Sequence, residues 1–155
     1  IALRPDRPEA YFNLGAALSN SGHLVEAAQR FLDAKERYPV GSVDWAEATA
    51  MAVDKLRLEQ CAEVAKPEWW NDEALKALSA RVLRAAPNKE FALDMRADVL
   101  SGACGGAWEV GPRSAAELKE AAALFDRSAA LCPAPALKAE IASLADQCRC
   151  QAEAM

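Results

Sequence analysis

The sequence predicts an all-α protein of about three helical hairpins and a closing helix. Three observations carry that expectation. The composition is rich in alanine, and only seven of the 155 residues are glycine, which favours helix throughout. No run alternates apolar and polar residues as a half-buried strand does. Pro5, Pro39 and Pro87 are each followed six residues later by a large apolar residue, Tyr11, Trp45 and Leu93. That recurrence sets a common register in which each apolar residue opens the buried stripe of a hairpin's first helix.

The first hairpin occupies residues 8–41. Pro8 suits a first helical turn, where its missing N–H costs nothing and its φ is already helical. The helix then runs to about Asn20, Ser21-Gly22 breaks it, and a second helix runs from about His23 to Tyr38, ended by Pro39-Val40-Gly41. Tyr11, Leu14 and Leu18 form the inner stripe of the first helix, and Gly15 allows a close approach of the second. Ala27, Phe31 and Ala34 form the facing stripe.

An aromatic residue, Leu-Gly three and four positions on, a later Ala-x3-Phe and a terminal Pro resemble the tetratricopeptide repeat (TPR) family. The resemblance implies a right-handed α-solenoid of stacked hairpins, with the first helices lining a concave wall. It also implies a function in binding other proteins. Residues 1–7 then read as the end of a preceding repeat, and the chain as the carboxyl end of an array.

A lengthened TPR-like second repeat covers residues 42–89. Ser42 is the expected N-cap, and Trp45, Ala48, Thr49 and Ala52 take the offsets of the signature's first helix. From Val43 to Lys66 there is neither Gly nor Pro, so an over-long first helix is expected, stopped at Lys66-Pro67. Asn71-Asp72 caps a second helix in which Leu75, Ser79 and Val82 stand at the Ala, Phe and Ala offsets. Ser79 departs from the pattern, which leaves open a one-residue slip.

The third repeat covers residues 90–133, with Leu93, Arg96, Ala97 and Leu100 in its first helix and Ala121, Phe125 and Ser128 in its second. Leu93 to Ala121 spans 28 positions where Tyr11 to Ala27 spans 16, because a glycine-rich loop insert occupies residues 101–112. Ser114-x-x-Glu117 is a capping box that restarts the helix. Residues 134–155 form a capping helix and tail, with Leu137, Ile141, Leu144 and Ala145 on the face that shields the last hairpin from water.

A formal net charge of −5 with scattered Lys and Arg argues against nucleic-acid binding, which needs a concentrated basic face. No apolar run is long enough to span a bilayer. Five cysteines without framework spacing read as reduced thiols of an intracellular protein, cytoplasmic or organellar. Cys148 and Cys150 lie about 200° apart around a helix and cannot chelate one ion together. His23, the one histidine, sits at a turn with no triad partners, and Gly105-Gly106 lacks the Gly-Lys-Ser/Thr of a phosphate loop. No cofactor, metal or catalytic site is expected.

Under the TPR resemblance, positions two, five, six and nine of each first helix face the groove. These include Glu9, Phe12 and Asn13, then Glu47, then Phe91, Asp94, Met95 and Asp98. Acidic and apolar residues alternate there without Lys or Arg, which suits a basic and apolar peptide or protein segment. Asn13 takes the place where many TPR proteins bond a peptide backbone. Phe12 and Ala16 stand where a carboxylate clamp needs Lys and Asn, so that mode is rejected. Trp69, Trp70 and Trp108 lie in the two lengthened corners. They serve either as interface anchors or, the simpler reading, as plugs of the repeats' own core. The expected role is a scaffold or assembly segment of a multi-protein complex; the alternative is a regulatory or substrate-selecting arm of a larger enzyme such as a glycosyltransferase.

Overall fold

Helix fills most of the stretches between the prolines. The structure, a computed structural model, describes residues 7–104 and 106–155; residues 1–6, most of the stretch expected to end a preceding repeat, and Gly105 of the expected loop insert lie outside the described residues. Among those described are seven α-helices and no strand: α1 (Pro8–Asn20), α2 (Leu24–Arg37), α3 (Val43–Leu56), α4 (Asp72–Ala85), α5 (Glu90–Ser101), α6 (Ala115–Leu131) and α7 (Pro135–Glu153). Each helix packs on the next, and α3 also packs on α5.

Side-chain caps start three of them. Ser42 accepts the Trp45 N–H at 3.1 Å, Asn71 accepts that of Ala74 at 2.9 Å, and Ser114 and Glu117 form the reciprocal box. Proline opens α1 and α7 in their first turns. These contacts satisfy N–H groups that have no partner inside the helix.

Packing follows the apolar stripes. A Cβ added at Gly15 would lie 3.0 Å from two ring atoms of Phe31, so α1 and α2 meet as closely as they do because that side chain is a hydrogen. Leu75, Ser79 and Val82 of α4 are all fully buried, which rules out the slipped register. Two departures from the repeat pattern explain each other: Arg96 Nη1 donates to Ser79 Oγ at 3.1 Å and to the Lys76 carbonyl at 2.6 Å. A serine where a phenylalanine is expected makes room for an arginine where a leucine is expected, and each satisfies the other's polar group.

Two expectations need correction. The over-long helix of residues 43–66 does not form: α3 ends at Leu56, and a short 3-10 turn at Glu59–Cys61 follows. No sequence breaker causes this. Cys61 turns inward to pack with Leu56 and Ala28, and the Lys66 ammonium donates to the Cys61 and Val64 carbonyls, so tertiary contact overrides helix propensity. The second concerns α7, which buries Ala145, Cys148 and Ala152. Ile141 and Leu144 pack partly buried against the α5–α6 core as expected, while Leu137 departs from the expected face, stays 49% exposed and borders a groove.

Candidate functional site: an acid-edged groove between α3, α5 and α7

The groove forms because three helices converge without closing. α3 contributes Ala50, Met51, Val53, Asp54 and the capping residue Arg57; α5 contributes Glu90, Phe91, Asp94, Met95, Asp98 and Val99; α7 contributes Leu137, Ile141 and Leu144. The cavity holds about 370 Å³. Buried Met95, Val99, Trp108 and Phe125 form its floor. Spacing puts the carboxylates together, since residues four apart lie one above the other on a helix: Glu90, Asp94 and Asp98 are one ladder on α5.

Electrostatics set the site's character. Arg57 pairs with Asp98 at 3.0 Å and with Asp54 at 3.4 Å. Ser128 Oγ donates to Asp94 Oδ1. Burial pushes Asp98 up to about 6, opposed by Arg57 and reinforced by Asp94 and Asp54. Burial also raises Asp94, with the Ser128 hydrogen bond opposing and Glu90 adding. Two carboxyls therefore hold their charge reluctantly beside an apolar wall.

The expected binding residues divide into three groups. Phe91, Asp94, Met95 and Asp98 all line the groove, although Met95 is buried and serves as floor. Glu9, Phe12, Asn13 and Glu47 lie outside it. Glu9 and Asn13 are exposed, Glu47 is partly buried, and Phe12 rests edge-on against Phe31 with centroids 5.3 Å apart. Trp69 and Trp70 lie in the corner beyond, while Trp108, anchored in that corner, also forms part of the groove's floor. Sequence reasoning missed Asp54, Arg57 and the α7 residues. Arg57 was hidden by the assumed continuation of α3, and the α7 stripe by its reading as a packing face.

That corner packs inward. Trp70 and Trp108 meet edge to face with centroids 5.5 Å apart, and the Trp70 indole donates to the Ala107 carbonyl at 3.0 Å. Trp108 is 7% exposed, and its indole donates to Asp72 Oδ1 at 3.0 Å. Arg113 grips both oxygens of Asp72, at 2.8 and 2.6 Å. It also donates to the Val99 and Leu100 carbonyls at 2.8 and 2.9 Å, satisfying carbonyls left open at the end of α5. The ring and N–H of Trp108 are thus committed within the chain; Trp69 and Trp70 keep part of their surface open.

Among the described residues no helix is long and apolar enough to cross a membrane, and no cluster of side chains is suited to hold a metal ion. The chain matches no protein-family model and no curated protein at a significant level.

Proposed function

We propose that this chain is a protein-interaction module, a TPR-like α-solenoid acting as a scaffold or assembly segment, and that its partner sits in the groove between α3, α5 and α7. The observation that carries this reading is the convergence of five expected contact residues, Phe91, Asp94, Met95, Asp98 and, in the floor, Trp108, on one open cavity of about 370 Å³. A cavity of that size, apolar with a few converging polar groups, has the general form of a binding site. Support also comes from Leu137, a large apolar side chain left half exposed at the groove's edge. The reading assigns the chain no catalytic role.

Site-specific photo-crosslinking tests it. A photoreactive amino acid replaces Leu137, which borders the groove, or Leu131, which is equally exposed but outside it. Protein adducts that form at position 137, not at 131, and that disappear on Phe91→Ala are the expected result. Equal labelling at both positions, or labelling indifferent to Phe91→Ala, overturns the assignment.

A further inference from the structure

We propose that the groove's occupant is a cationic amphipathic segment of a partner protein, seating one large apolar side chain against Phe91 and the α7 stripe and setting Lys or Arg beside Asp94 and Asp98. This deepens the groove reading above and rests on it.

The charge balance points to this chemistry. Asp54, Glu90, Asp94 and Asp98 line the groove against one guanidinium, that of Arg57. Arg57 is already divided between Asp98 and Asp54, which also pairs with Lys55 at 3.3 Å. Among the described residues neither Glu90 nor Asp94 has a cation within ion-pair distance. An acidic segment or an anionic lipid surface meets like charge here, while a cation finds carboxylates already partly withdrawn from water, where attraction is stronger than at a free surface.

The apolar side of the groove selects the other half of the ligand. Phe91, Ile141 and Leu144 pack partly against the chain's own core and turn their remaining surface to the groove, where Leu137 stands 49% exposed beside them. The volume of about 370 Å³ lies at the small end of ligand pockets. It suits one or two side chains projecting from a segment laid across the opening, as in helix-in-groove recognition.

Proton linkage gives the proposal a signature. The groups facing Asp98 are Arg57 and Asp54 from α3, Asp94 on its own helix and the Cys148 thiol from α7; Asp94 faces Ser128 of α6, Glu90 on its own helix, and Arg57 and Asp54 from α3. Burial holds both acids toward the protonated form, and an arriving cation favours the charged form. Binding therefore releases protons, and affinity falls as pH drops through about 6.

The experiment measures fluorescence anisotropy of labelled helix-forming peptides with the full chain. One peptide carries leucines on one face and lysines on the other; a second has Glu for Lys, and a third Ala for Leu. At about pH 7.5 the Leu/Lys peptide is expected to bind at least about tenfold tighter than either control, and to lose about tenfold at about pH 5. The Asp94→Asn/Asp98→Asn variant, and Asp94→Asn alone, should weaken that binding and flatten its pH dependence while circular dichroism stays unchanged. If the Leu/Lys peptide fails to outbind its Glu counterpart, or if its affinity ignores both pH and the variants, the cationic occupant is wrong. A groove-specific crosslink at position 137 in that case leaves the interaction-module reading standing; loss of both results overturns both.

Discussion

Gly15 and Asp98 show how far one position's chemistry reaches. At Gly15 the ring of Phe31 already occupies the limit of contact, and that ring is fully enclosed. Alanine improves helix propensity by up to about 1 kcal/mol, but overpacking an enclosed site costs about 1–3 kcal/mol. Gly15→Ala is expected to lose about 1 kcal/mol net, read by urea denaturation. Asp98 acts through protons. Its carboxyl is raised from 3.8 to about 6 in the folded chain, so the folded state binds more protons than the unfolded one between those values. Stability contributed by this group is greatest at the acid end of that window and falls as pH rises through it. Asp98→Asn should remove this falling component, seen as a flatter stability-against-pH curve from about pH 4 to 7.

The lengthened corners are the elements that the structure redefines. Asp72 reads in the sequence as part of a helix cap, and Asn71 does cap α4. The larger role of Asp72 is to bind Trp108 and Gly111 of the 101–112 segment and Arg113 just after it, joining two corners across 41 residues. Spacing along one helix cannot reveal a partner that far away. Removing one partner from so enclosed a pair leaves the other charge unmatched, and Asp72→Ala is expected to cost about 3 kcal/mol. The Arg113 guanidinium, more than Trp108 and Gly111, holds the Asp72 carboxyl well below the usual carboxylate range, against the opposing effect of burial. Its stabilising contribution is therefore present above about pH 4 and is lost as pH falls below that. Acid unfolding monitored by circular dichroism should begin at higher pH once Arg113→Met removes the guanidinium. Trp108→Ala, which empties a buried ring site and frees Asp72 Oδ1, should cost about 3–5 kcal/mol.

At the scale of the whole molecule, stability is uneven. The largest apolar cluster joins α3, α4, α5 and the segment between α5 and α6 through Trp45, Leu75, Val82, Met95, Val99 and Trp108. By contrast, α1 buries only Tyr11 and Gly15. Backbone amides in α3 and α5 should exchange with solvent slowest, and those of α1 markedly faster, in native-state hydrogen exchange. The same arrangement places the groove against the largest apolar cluster, since Val53, Met95, Val99 and Trp108 belong both to that cluster and to the groove lining. A rigid floor keeps the carboxylate ladder of α5 in place for a partner.

By itself the sequence determined the helical class, the caps at Ser42, Asn71 and Ser114 and the close α1–α2 approach at Gly15. These are local matters: periodicity, hydrogen-bond chemistry and side-chain size act within a few residues, and the letters record them directly. Only the tertiary structure decided that α3 ends at Leu56, that Arg57 turns to Asp98, that Asp72 and Arg113 lock the corners, and that α7 leaves Leu137 at an open edge. Each depends on surfaces brought together from distant stretches, and their packing energy outweighs the local preference that the sequence expresses.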